Sequence, residues 1–233
     1  MLFFIGLALL VSAPTAPQPA PAASAAVDQD QAQVDRAATL IQAGKPAEAI
    51  ALLDTLIAAQ EKRAAGDPEQ RYCARGEPES LAYLLTAAAD KKRAVVLAQS
   101  ACYSIFLKAF ALVDLNRGDE AKVCLERAVA MAPSNAQFLG ELAEWHKNRR
   151  DWPSAMKLYK DAEEAAYLSP KDTEVSDRTR ALRGQAFILV ELGKLDEAEA
   201  LYRRCLKLDP KDERSKQELQ YIADQRAKTP HTI

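Results

Sequence analysis

The chain repeats itself at a fixed spacing. Ile105, Ala109, Leu112, Ala121, Leu125 and Ala128 recur 34 residues later as Leu139, Ala143, His146, Ala155, Tyr159 and Ala162, and a further 43 residues on as Leu182, Ala186, Leu189, Ala198, Tyr202 and Cys205. Repetition at this period restricts the fold to a stack of similar units, each too small to bury its own apolar face and therefore dependent on its neighbours. The second spacing exceeds the first by nine residues, which belong in the loop around Ser169-Pro170.

Each unit reads as two amphipathic helices joined by a short turn. Alanine at 109 and 121 lets two helix axes approach, while Ile105, Leu112 and Leu125, three or four places away, fill the flanking volume. The turns are Leu115 to Gly118, Asn148 to Asp151 and Leu192 to Lys194. Gly193 can take the left-handed conformation that closes a helix, and Asp151 can cap the next one with Pro153 in its first turn. Met131-Ala-Pro133 and Leu208-Asp-Pro210 end the second helix of their units, because proline cannot continue it.

Small residue, leucine or aromatic, small residue and closing proline, at these spacings, resemble the tetratricopeptide repeat family, and more narrowly its exported bacterial members. The resemblance covers Tyr103 to Pro210 and, less regularly, Asp30 to Ala59, where Ala37, Leu40, Gly44, Ala49 and Leu53 fit but Leu56 stands in an alanine slot. It implies an all-α solenoid of antiparallel helix hairpins: repeats at 30–63, 102–135, 136–178 with the loop insertion, and 179–212, then a capping helix and tail at 213–233. From Ala49 to Ala121 is 72 residues, room for one further degenerate unit between Ala64 and Ala101. That interval departs from the pattern. Pro68 and Pro78 would break any long helix, Glu79 to Ala89 reads as helix with Leu81, Leu84, Leu85 and Ala88 on one side, and Val95-Val96-Leu97 carries no helical signal. An irregular excursion with one helix is expected over 64–101.

The N-terminus differs in kind. Leu2 to Val11 is apolar but far below the roughly 20 residues needed to span a bilayer. Ala23-Ser24-Ala25 offers a small-x-small cleavage pattern, so 1–25 reads as a signal peptide and 26–29 as a linker, giving a periplasmic or secreted chain with no transmembrane segment once processed. Cys73, Cys102, Cys124 and Cys205 permit disulfides in an oxidising compartment. Four cysteines allow three complete pairings; the placement of Cys73 in the excursion and Cys102 at the start of a repeat helix favours bridging those two, while Cys205, in a slot held elsewhere by alanine, reads as a buried thiol.

Other classes find little support. With 31 basic and 33 acidic residues and no dense basic block, nothing steers the chain to nucleic acid. There is no nucleotide-loop motif, no C-x-x-C spacing that would point to a metal, and no cofactor signature. His146 and His231 are the only histidines, and no spacing ties either to a nucleophile, so no catalytic residue is assigned and the chain is read as a non-enzyme. Asp161, Glu163 and Glu164 read as a solvated face. The resemblance implies instead a protein or peptide partner, held on the concave side by the first helix of each unit. The outward stripe there is Tyr103, Phe106, Phe110 and Val113 on one helix and Arg180, Arg183 and Phe187 on a later one. Either the excursion packs over the aromatic stripe or a partner does. Arginines beside an aromatic suit a partner with a carboxylate. The function expected is therefore a cell-envelope interaction scaffold, with a carrier of a small apolar ligand under the excursion as the alternative and an enzyme with an unrecognised site behind both.

Overall fold

The computed structural model describes residues 21–66 and 69–228, and the expected signal segment and the final tail lie largely outside them. Within them the chain is an all-α solenoid. Helices α1 (Pro21–Gln42) and α2 (Pro46–Arg63), α4 (Ser100–Asp114) and α5 (Gly118–Met131), α6 (Ala136–Asn148) and α7 (Trp152–Ala165), and α8 (Glu174–Glu191) and α9 (Leu195–Leu208) form four hairpins, and α10 (Glu213–Lys228) closes the stack. No described helix is long and apolar enough to cross a membrane.

The alanine slots are the close contacts. Ala109, Ala121, Ala143, Ala155, Ala186 and Ala198 are at most 1 % exposed. The four intra-hairpin turns share one device: Gly44, Asn116, Arg150 and Gly193, at equivalent places, all have φ between 58° and 73°. That left-handed residue lets the amide just beyond it bond back to the helix it leaves, as Lys45 does to Leu40, Arg117 to Leu112, Asp151 to His146 and Lys194 to Leu189. Asp151 also caps α7, accepting from the Ser154 amide at 3.3 Å.

Two expectations need correction. The 26–29 linker is helical backbone inside α1, because an alanine-rich run behind Pro21 favours helix from its first turn. The expected excursion with one helix does not form a hairpin, and α4 packs directly on α1 and α2. The intervening chain forms a small β–α–β unit instead. Strands β1 (Gln70–Cys73) and β2 (Ala94–Leu97) pair in parallel, Gln70 opposite Ala94 through Cys73 opposite Leu97, and α3 (Glu77–Ala89) makes the crossover. The second correction concerns α3, which is turned over relative to its apolar pattern: Glu79, Tyr83 and Ala87 are buried, whereas Leu81, Leu84, Leu85 and Ala88 face solvent.

Three attachments fasten this unit to the solenoid. A disulfide joins Cys73 to Cys102 of α4. The Tyr83 hydroxyl accepts the Ser134 amide, in the turn between α5 and α6, at 3.2 Å. Arg75, almost wholly buried, donates to Glu79 within the unit (2.8 Å) and to Asp177 of α8 (2.9 Å) and Ser169 (2.9 Å). Burial opposes the Arg75 charge, but Glu79 and Asp177 outweigh it and hold the guanidinium above its ordinary value. Ser169 belongs to the nine-residue insertion and Asp177 to the start of α8 just beyond it, so the two departures from the repeat meet each other.

Candidate peptide-binding groove

The first helix of each hairpin presents one face to the concave side, and the residues in register there are Phe110 and Val113 from α4, Glu141, Glu144 and Lys147 from α6, and Arg180, Arg183 and Phe187 from α8. All but Val113 line a groove of about 730 Å3 whose far wall is α10, through Arg214, Gln217 and Glu218. A second, more apolar chamber of about 360 Å3 opens beside it, lined by Phe110, Val113, Leu125 and Trp145. At the other edge, where these helices begin, a space of about 460 Å3 lies between Arg75 of the β–α–β unit, Tyr103, Gln137, Pro170 of the insertion and Ser176 and Asp177 at the start of α8.

The aromatic stripe is divided along its length. Phe106 is 1 % exposed: the Phe138 ring of α6 stacks on it at 4.4 Å, Phe110 meets it edge-on at 5.0 Å, and it belongs to the same buried cluster as Cys73 and Tyr83 of the excursion. Tyr103 is half-buried, 5.5 Å from Phe106. Phe110 and Val113, toward the carboxyl end of α4, are 36 % and 53 % exposed and form an open apolar floor.

The cations are engaged within the chain. Arg180 pairs with Glu141, Arg183 donates to Asp212 at 2.8 Å, and Lys147 pairs with Glu144 at 2.5 Å while its ammonium lies 4.9 Å from the centre of the Phe187 ring. Arg214 on α10 is a groove cation with no ion pair among the described residues. Its role was not legible in the sequence, because nothing in a capping helix announces that it turns back over the groove. Below the floor, the buried Tyr159 hydroxyl donates to Glu144, and burial next to that carboxylate raises the phenol far above its ordinary range. Arg149 lies over the Trp145 ring, 3.6 Å from its centre, and the indole N–H donates to the Gly118 carbonyl at 2.8 Å. His146 Nδ1 is occupied by Asp151 at 2.8 Å, in a turn, and no group of described residues could hold a metal ion. Cys205 is a free buried thiol that burial pushes up, and Cys124 is free and half-buried.

Three tetratricopeptide repeat models match, over residues 31–55, 106–172 and 179–212, which cover three of the four hairpins in large part and leave out the β–α–β unit. The chain is a tetratricopeptide repeat protein. No curated protein sequence matches it significantly. Among solved structures it is similar to that described under functional characterisation of Pseudomonas aeruginosa PilF, with a TM-score of 0.60 at 13 % identity, covering 88 % of this chain and 71 % of that one. It is also similar to a MamA RS-1 double mutant, with a TM-score of 0.54 at 12 % identity, covering 86 % of each chain. At these identities the likeness shows the fold alone. Tetratricopeptide repeat proteins are in general protein–protein interaction scaffolds.

Proposed function

We propose that the protein is an interaction scaffold of the cell envelope that holds an extended peptide or a single helix of a partner protein in the concave groove. The observation that carries this reading is the groove itself: an apolar floor at Phe110 and Val113 runs into a polar stretch around Lys147, Phe187 and Arg214. Those two chemistries in line suit a chain segment with an aliphatic or aromatic anchor followed by polar or acidic residues. The envelope location is supported by the signal-like start and by the buried Cys73–Cys102 disulfide, a bond that persists in oxidising compartments. An apolar-ligand carrier draws less support, because the space beside β2, about 310 Å3, is edged by Asp30 and Arg63 as well as by Val95 and Leu97.

The test is cross-linking capture from envelope extracts with the intact protein and a groove variant. Phe187→Ala, at a half-buried ring, should lose the captured partner while the melting temperature falls by only a few degrees. Equal capture by both proteins would remove the groove from the function.

A further inference from the structure

The β–α–β unit carries a face that no described element covers. Helix α3 turns Glu79, Tyr83 and Ala87 inward, and its opposite side presents Leu81, Leu84, Leu85 and Ala88 at spacings of three and four. The three leucines are 59 %, 43 % and 61 % exposed, and no residue from Ser80 to Ala89 is charged. Scattered exposed leucines are ordinary, whereas a contiguous stripe along one helix marks a contact surface. The charges bracketing the stripe are of opposite sign. Glu77 stands at the amino end, and Asp90, Lys91 and Lys92, one net positive charge, at the carboxyl end, all exposed. Neither Glu77 nor Lys91 has an ion-pair partner among the described residues, and Lys92 has only an exposed contact to Asp90 at 3.3 Å.

We infer that this face binds the same face of a second copy of the chain, the two α3 helices lying antiparallel about a two-fold axis. An axis between Leu84 and Leu85 sets each Leu84 against Leu85 of the other copy. It sets each Leu81 against Ala88, large against small, so the side chains interdigitate. It also brings each Glu77 to the Lys91-Lys92 end of the other helix, and because the contact is isologous both ends are satisfied at once. A parallel arrangement would put carboxylate against carboxylate and ammonium against ammonium. An anionic lipid surface would attract the lysines but repel Glu77. Helix α3 has 13 residues and is about 20 Å long, so the contact is smaller than the ~800 Å2 per partner of a standard stable interface and the association is weak and concentration-dependent. The stripe lies outside the groove, so this inference does not rest on the proposed function.

Sedimentation equilibrium of the intact protein over a concentration series should show a monomer–dimer equilibrium. Leu85→Asn should weaken it at least about tenfold without lowering the melting temperature, since that side chain is exposed in the single copy. Glu77→Lys alone, or Lys91→Glu with Lys92→Glu, should weaken it as well, and all three changes together should restore it. A chain monomeric throughout, a dimer indifferent to Leu85→Asn, or a triple variant weaker than both parents would overturn the proposal. So would a monomer that binds phosphatidylglycerol vesicles through Leu85, which would assign the face to a lipid surface.

Discussion

Phe106 separates what a repeat pattern reveals about a residue from what it leaves open. Its place on the concave stripe follows from spacing, but its cover, Phe138, comes from the next repeat at a position the repeat comparison passes over, one residue before the matched Leu139. With its ring 1 % exposed, Phe106→Ala should cost about 3–5 kcal/mol in a denaturant melt, the range for deleting a buried aromatic. Phe110→Ala should cost less than about half of that, because its ring remains partly in water. Equal losses would mean that the floor at Phe110 is covered. The alanine contacts were legible because a small residue in a periodic slot has one simple physical use. Gly184 was not: a Cβ there would lie 2.3 Å from the Tyr159 ring, a close approach set by a residue on another helix. Glu163 was misread for the same reason. It accepts from Gln185 at 2.8 Å and pairs with Arg204, so three helices share a carboxylate that looks solvated in sequence.

Elements were legible where periodicity ran long enough. The eight hairpin helices follow from apolar spacing, and the turns from residues able to adopt positive φ, with Arg150 the exception that takes the same conformation at the same place. Strands of four residues are too short to show a period against helix, and the inverted burial of α3 depends on an ion cluster completed by Asp177, 102 residues after Arg75. Helix α10 depends on one carboxylate. Asp212, just before it, accepts from the Ser215 hydroxyl at 2.6 Å and amide at 3.4 Å and from Arg183 of α8 at 2.8 Å, thereby both capping α10 and tying it to the groove wall. Burial opposes the Asp212 charge, yet Ser215 and Arg183 outweigh it and hold the carboxyl below its ordinary value. A carboxyl lowered on folding contributes stability that is full above its unfolded pKa, about 3.9, and is lost as pH falls through the folded value. Hydrogen exchange in α10 should therefore quicken in that acid window ahead of α8 and α9. Asp212→Ala should produce the same local loosening at neutral pH, at a cost of about 0.5–2 kcal/mol, the usual worth of an N-terminal cap. Unchanged α10 protection in the variant would show that the tie is unimportant.

At the scale of the whole molecule, a solenoid normally couples each repeat only to its neighbours, so its parts can open independently. Here the β–α–β unit reaches α4 through the disulfide, the α5–α6 turn through Tyr83 and α8 through Arg75, bracing three successive hairpins from one side. The brace ties the start of α4 and the start of α8 to one unit. The disulfide carries the first anchor of the brace, because Arg75 follows Cys73 by only two residues and owes its position to the strand that the bond pins to α4. The bond spans 29 residues of sequence, and a closed loop of that length constrains the unfolded chain by roughly 3–4 kcal/mol in the chain-entropy account. Replacing both Cys73 and Cys102 by serine should lower stability by roughly 2–4 kcal/mol, the lower part of the range allowing for structure retained in the unfolded chain. The order of loosening is the sharper measurement. In hydrogen exchange the amides of 70–97 should lose protection first, those at the start of α8 next as Arg75 withdraws from Asp177, and those of α6, α7 and α9 last. Loss of protection in α6 and α7 before 70–97 would mean that the unit is carried by the repeats and does not brace them.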